Sequence, residues 1–209
     1  VHTNAVIGGD PQHLTFSGEG CRVEIGDDNE IREFVTIHRG TKESGGVTRI
    51  GSNCLIMAYA HVAHDCTLGD HVVMANAVNL AGHAQLGNHV TIGGVTGVHQ
   101  WARIGDYAFL GAVSALSQDI PPYLMAAGNR ATLRGPNLIG MRRHKFSREA
   151  ISAIRNAYRM IFRSDTPRQD SLNEVEAEYG HLPEIVNLVE FIRGSERGVA
   201  TAVQRNGDD

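Results

Sequence analysis

From Ile50 onward every sixth residue is aliphatic: Ile50, Ile56, Val62, Leu68, Met74, Leu80, Leu86, Ile92, Val98, Ile104, Leu110 and Leu116. Two positions before each stands a small residue, from Thr48, Cys54 and Ala60 through to Ala108 and Ser114. A period of six matches neither an amphipathic helix nor an alternating strand. It matches a parallel β-helix of short flat strands with a corner after each. The aliphatic residue fills the interior and the small one leaves room at the corner. Glycine often follows the aliphatic position, as at Gly51, Gly69, Gly87, Gly93, Gly105 and Gly111. There its conformational freedom is expected to serve the turn.

Ile25, Ile31 and Ile37 keep the same step, so the repeat predicts a β-helix over 1–128. Two polar stretches, near 8–22 and 38–49, break the step and read as external loops able to reach a ligand or a neighbouring subunit. Pro121 and Pro122 are expected to end the stacking of strands. Beyond Ser147, a good N-cap, Ile151, Ile154, Tyr158, Ile161 and Phe162 recur at helical spacing. Shorter helical segments follow near 171–180 and 183–193. The segment 129–209 is therefore expected to be an α-helical domain covering the open end of the solenoid, with a tail that frays from Gly194.

Composition narrows the function. The 24 glycines and 6% aromatics suit tight turns and small aliphatic side chains. A formal net charge of -4 offers no basic footprint for nucleic acid. Cys21, Cys54 and Cys66 form no CxxC pair and no disulfide framework, so a reducing, cytoplasmic setting is expected. The long uncharged run from His71 to Ala102 holds too many Asn, His, Gln and Gly residues for a transmembrane segment. The chain opens at Val1 without a methionine and is expected to be a fragment.

The hexad pattern resembles the left-handed β-helix acyltransferases, whose coils each comprise three hexads. With such a coil, Asp65 lies under His83 and Trp101, His64 under Gly82 and Gln100, and His61 under Asn79. The stretch HVAHDC (61–66) thus gathers polar groups on one edge, near His99. His71 and His89 stack in the same way, and no chemistry is assigned to them. Three readings compete for the cluster. It could be a polar edge with no chemistry. It could bind a metal, as the γ-class carbonic anhydrases do on this fold, but His61 and His64 are spaced wrongly for that family's His-x4-His pair. General base catalysis fits best, with a neutral imidazole held by an adjacent acid. Neighbours on a straight strand point to opposite sides, so His64 and Asp65 must straddle a corner.

A more specific likeness spans nearly the whole chain. VTIHRGT (35–41), AHVAHDCTLGD (60–70), NLAGHAQLG (79–87), IGGVTGVHQ (92–100), SQDIPPYLMAAGN (117–129) and FSREAISAIRNAYRMI (146–161) resemble the UDP-N-acetylglucosamine O-acyltransferases, which open lipid A synthesis. Members of that family begin with further coils, which agrees with the fragment reading. The resemblance implies transfer of an R-3-hydroxyacyl group from acyl carrier protein to the 3-hydroxyl of UDP-N-acetylglucosamine, by a homotrimer without metal or cofactor. It implies His64 as general base, Asp65 as its orienting acid and the Gly82 N–H as oxyanion donor. Gln12, His38, His61, His83, His99 and Gln100 match substrate-lining positions, Asn137 and Arg143 nucleotide positions, and Gly94, Phe109 and Ala112 the acyl groove.

Some residues depart from the family pattern. His13 and Thr15 stand where an acid and a lysine are usual, and Ile139 and His144 where an acid and an arginine are usual. The altered Gln12–Thr15 loop raises a 3-amino UDP-sugar acceptor as the alternative. Ala112 replaces a frequent glycine, which implies a shorter or differently placed acyl chain.

Overall fold

The computed structural model describes residues 1–14, 16–17 and 20–203. Its strands form three stacked sheets, and the chain visits each in turn. The first face contains Val6–Gly9, Thr36–His38, His61–Val62, Asn79–Leu80, Gly97–Val98 and Ala115–Leu116. The second runs from Arg22–Ile25 through Val47–Ile50, Thr67–Leu68 and Gln85–Leu86 to Arg103–Ile104. The third begins at Glu30–Ile31 and Leu55–Ile56, continues through Phe109–Leu110, and ends with Leu124–Ala127 and Thr132–Pro136. His61 pairs with Asn79, Asn79 with Gly97 and Gly97 with Ala115, all parallel, which is the three-hexad coil. The aliphatic hexad positions are buried, Val62, Leu80, Ile92 and Leu110 completely. Each such side chain contributes about 1.5–3 kcal/mol on leaving water.

The corners correct one expectation. Their left-handed residues are Asn53, Tyr59, Asp65, His71, Ala77, His83, His89, Val95, Trp101, Tyr107 and Val113, and glycine occupies none of these positions. The hexad glycines serve a different purpose, close approach between coils. A Cβ on Gly51 would lie 2.4 Å from Asp70 Oδ1, one on Gly69 2.6 Å from Asn88 Oδ1, and one on Gly87 2.4 Å from Asp106 Oδ1. Those oxygens are occupied, since Asp70 Oδ1 accepts from the Ser52 N–H at 2.7 Å and Asn88 Oδ1 from the Asp70 N–H at 2.8 Å. Glycine leaves room for a ladder of side-chain acceptors that ties coil to coil.

Pro121 and Pro122 do not end the stack. Pro122 fills the space that Gly105 leaves, where a Cβ would meet its ring at 2.5 Å. Ile120 pairs with Ile104, and Leu124–Ala127 continues the third face before Thr132–Pro136 returns antiparallel. The prolines lie at a corner, where no ladder N–H is required of them. Strand structure therefore runs on to Pro136, and the helices follow: α1 Leu138–Arg143, α2 Arg148–Phe162, α3 Arg168–Tyr179 and α4 Pro183–Arg193. Ser147 caps α2 by accepting from the Ala150 N–H at 3.0 Å, and α2 buries Ala153, Ile154, Ala157 and Ile161.

Residues 195–203 are docked, contrary to the fraying expected from Gly194 onward, while 204–209 lie outside the described residues. Val199 and Ala200 are buried, and Ala200 N–H donates to Asp119 O at 2.9 Å. The buried Asp119 carboxylate accepts from the Arg103 N–H at 2.8 Å and from Ser195 Oγ at 2.7 Å. Among the described residues, no helix is long and apolar enough to cross a membrane.

Candidate active site

His64 and Asp65 meet because Asp65 is a left-handed corner residue, with φ of 59°. The corner turns the carboxylate back onto its neighbour, and His64 Nδ1–H donates to Asp65 Oδ2 at 2.8 Å. A carboxylate on Nδ1 fixes the tautomer in which Nε2 of the neutral ring carries a lone pair. The acid is itself held. Thr41 N–H donates to Asp65 Oδ1 at 2.8 Å, Thr41 Oγ1–H donates to Oδ2 at 2.7 Å, and Asp65 N–H donates to Thr48 Oγ1 at 2.8 Å. Thr41 and Thr48 are buried, and neither was read from the sequence as part of the site. The available signal was VTIHRGT, whose last residue lies within the 38–49 loop. This loop contributes to the site by packing against the acid: a Cβ on Gly40 would lie 2.7 Å from Asp65 Oδ1.

Gly82 lies against the His64 ring, where a Cβ would sit 2.5 Å from Cε1 and 2.7 Å from Nε2. Ala81 and His83 give their N–H groups to Val98 O and His64 O, at 3.0 Å each. Among the described residues the Gly82 N–H has no acceptor. An unused donor thus stands beside the base.

The neighbouring imidazoles are arranged around this pair. His83 packs edge-on against His64 at 5.1 Å between centroids, stacks on Trp101 at 3.7 Å, and holds Nε2 3.8 Å from Asp65 Oδ2. Burial lowers its pKa, with His64 and His13 adding to the effect against Asp65. His61 is hydrogen-bonded to Thr36 Oγ1 at 2.7 Å, and its pKa falls to about 4, first through burial and then through His38 and His64. Burial, followed by His64, likewise lowers His38, whose Nδ1 is buried without a partner among the described residues. These rings are neutral near pH 7 and present polar atoms without competing charge.

His64, Asp65 and His83, which the coil arithmetic places together, bring three metal-binding donors within 4.8 Å, a different set from the His61–His64 spacing weighed for a metal from the sequence. Both Asp65 oxygens already accept hydrogen bonds, so the carboxylate serves as a hydrogen-bond hub.

An open groove of ≈ 1030 Å³ on the first face is lined by Gln12, His38, His61, His64, His99 and Gln100, with Gly82 beside them. His13 approaches His64 edge-on at 5.2 Å, while Thr15 lies outside the described residues. Asn137 and Arg143 are elsewhere. They line a ≈ 210 Å³ cavity on the third face with Phe109, Ile139 and His144. The Asn137 amide is engaged, capping α1 at Gly140 N and donating to Tyr107 O at 2.9 Å. Gly94 packs against its neighbouring coil, where a Cβ would meet Asn76 O at 3.0 Å, and Ala112 N lies 2.4 Å from a Cβ placed on Gly93.

Residues 48–82 match the family model for bacterial transferase hexapeptide repeats. Residues 119–200 match the model for UDP-N-acetylglucosamine O-acyltransferase, domain 2. Solved structures agree over most of the chain. The UDP-N-acetylglucosamine O-acyltransferase of Moraxella catarrhalis is 46% identical, with a TM-score of 0.92, over 95% of this chain and 79% of that one. The UDP-N-acetylglucosamine acyltransferase of Bacteroides fragilis is 43% identical, with a TM-score of 0.92, over 95% and 78%. The Arabidopsis UDP-N-acetylglucosamine acyltransferase is 40% identical, with a TM-score of 0.90, over 96% and 73%.

Proposed function

The chain belongs to the UDP-N-acetylglucosamine O-acyltransferase family, with its left-handed β-helix, and from that premise we propose that it moves an R-3-hydroxyacyl group from acyl carrier protein to the 3-hydroxyl of UDP-N-acetylglucosamine. The observation that carries the mechanism is the His64–Asp65 pair, with Gly82 packed on the His64 ring. His64 Nε2 takes the hydroxyl proton as the sugar oxygen attacks the thioester carbon. Negative charge builds on the carbonyl oxygen and is met by the Gly82 N–H. As the C–S bond breaks, the imidazolium returns its proton to the departing thiolate, so a C–O bond replaces the C–S bond and the carrier leaves as a thiol. Asp65, held by Thr41 and Thr48, keeps the ring oriented and stabilises its transient charge. A positioned base contributes about 10²–10⁴-fold, and an oxyanion donor about 10²–10³-fold.

Gln12, His38, His61, His99 and Gln100 surround the acceptor sugar in this reading. Asn137 and Arg143 belong to a different face of the prism from His64. One nucleotide sugar touched by both sets therefore needs a second copy of the chain, which supports a homotrimer with sites between subunits.

The test is a His64→Ala variant assayed with acyl carrier protein and UDP-N-acetylglucosamine. It should fold and lose transfer; near-unchanged turnover would overturn the assignment. His13 beside the base favours a second reading, in which a 3-amino sugar is acylated. An imidazole where relatives carry an acid weakens the hold on an ammonium and leaves the amine neutral and nucleophilic. Comparing the two acceptors with one donor decides between ester and amide.

A further inference from the structure

His83 lies against the dyad without belonging to it. Its Nε2 stands 3.8 Å from Asp65 Oδ2, whereas His64 Nδ1 reaches the same oxygen at 2.8 Å. A donor at that distance is outside hydrogen-bond range, and a shift of about 1 Å would bring it inside. The ring is backed by Trp101, the only tryptophan of the chain. The indole stacks on His83 at 3.7 Å between centroids and 3° between planes. The His71–His89 and His89–Tyr107 stacks on another edge are looser, at 4.4 and 4.5 Å. Asp65, His83 and Trp101 take the same left-handed corner on three successive coils, where His83 N–H donates to His64 O at 3.0 Å and Trp101 N–H to Gly82 O at 3.2 Å. A move of the imidazole towards the carboxylate below is therefore a move away from the indole above. Opening such a contact by about 1 Å forfeits roughly a quarter to a half of its dispersion attraction. Trp101 is half-exposed and lies outside the lining of the groove, so its influence on the reaction runs through His83.

We propose that Trp101 is a positioning residue: by pinning His83 in a parallel stack, it reserves Asp65 Oδ2 for His64 and so keeps the base oriented. The inference rests on the acyl-transfer reading of the His64 site. His83 is the competitor because it is the second imidazole beside the carboxylate. Its protonated form competes hardest, as a charge-assisted donor. The charged and titratable groups facing it are Asp65 and His64 from the coil below and His13 from the 8–22 loop. Burial outweighs them and holds the ring neutral, and the indole supplies part of that cover.

Intrinsic fluorescence reads the contact without any need for transfer, since an imidazolium stacked on an indole quenches its emission. In the unaltered protein, emission should fall on acidification with a midpoint below pH 6.5. His83→Asn should abolish the step, and Asp65→Asn should move it to lower pH, because the carboxylate favours the imidazolium. A step that survives His83→Asn, or one that Asp65→Asn leaves in place, would overturn the coupling. In the transfer assay Trp101→Ala should lower kcat about tenfold at neutral pH and leave both KM values within about twofold. The loss should deepen as the pH falls and His83 gains its proton, and Trp101→Phe should recover most of it. In a His83→Asn background, Trp101→Ala should change kcat by less than about twofold. An unchanged kcat–pH profile in Trp101→Ala, or the full loss in both backgrounds, would overturn the positioning role. The expected fluorescence steps together with no transfer to any acceptor would refute the acyl-transfer reading and leave the Trp101–His83–Asp65 coupling standing.

Discussion

Replacing Gly82 with alanine adds a single methyl group directly against the catalytic ring. That methyl would lie 2.5 Å from His64 Cε1, 2.7 Å from Nε2 and 3.1 Å from Nδ1, roughly 1 Å inside ordinary contact. The ring cannot yield in place, because Nδ1 is bound to Asp65 and Asp65 is bound to Thr41 and Thr48. Relief requires the imidazole to swing away, which sacrifices a hydrogen bond to a charged group worth about 1.5–3 kcal/mol. Overpacking of this kind costs about 1–3 kcal/mol of stability, and a base displaced by about 1 Å loses on the order of 10²-fold in rate. The Gly82 N–H remains, so the loss reports ring position rather than the oxyanion donor. The decisive measurement is a double-mutant cycle with His64→Ala, read by thermal denaturation and by kcat. Without the ring, the three atoms nearest the alanine methyl are gone, and the substitution should cost less than about 0.5 kcal/mol. Equal destabilisation by Gly82→Ala in both backgrounds would refute the argument, because the clash would then not involve His64.

Three further outcomes are expected. Thr41→Val removes the Oγ1 donor to Asp65 while keeping shape, and should lower kcat about tenfold, with Thr41→Ser restoring most of it; an unchanged kcat–pH profile in Thr41→Val would show that Asp65 is not controlled through this contact. His61, with its pKa depressed from 6.5 to about 4, is fully neutral in the folded chain above pH 6.5, whereas unfolded it takes a proton below that value. Stability should therefore be complete above pH 6.5 and fall as the pH drops towards 4, by up to about 3 kcal/mol at roughly 1.4 kcal/mol per unit, and His61→Asn should flatten that slope in denaturant titrations. Ala112→Gly removes a methyl from the proposed acyl groove and should shift donor preference to longer chains in competition assays; identical selectivity before and after the change would remove Ala112 from the groove.

Much of the fold could be read from residues of one kind. The aliphatic step from Ile50 to Leu116 specifies the interior, whereas the vertical order that puts Gly82 over His64 also needed the three-hexad coil, which the resemblance to the left-handed β-helix acyltransferases supplied. The corners were less legible. Sequence reasoning assigned turn dihedrals to glycine, yet the folded coils force tyrosine, histidine and valine into left-handed conformations and reserve glycine for inter-coil contact. Packing against the neighbouring coil outweighs the local preference there, and single-residue propensity cannot show that. Thr41 was hidden for a related reason. Its role depends on a loop folding back across residues distant in sequence, and the hexad step is silent wherever it is broken. The tail after Gly194 looked free because its anchor, the buried Asp119, lies far away in the chain.

The left-handed corner also bears on how such a site arises. Adjacent residues on a strand diverge, but at the Asp65 corner the backbone reversal brings two chain neighbours into contact. His71, His89 and Tyr107 hold the same left-handed position on another edge of the prism, but there the preceding Asp70, Asn88 and Asp106 accept from backbone N–H groups of the neighbouring coil while the rings stack on one another. The solenoid is thus a column of equivalent backbone corners, and the side chains placed there decide whether two neighbours bond to each other or to the next coil. Chemistry could move up or down the axis by whole coils without remodelling the backbone. What distinguishes Asp65 from the other corners is the loop that closes over it.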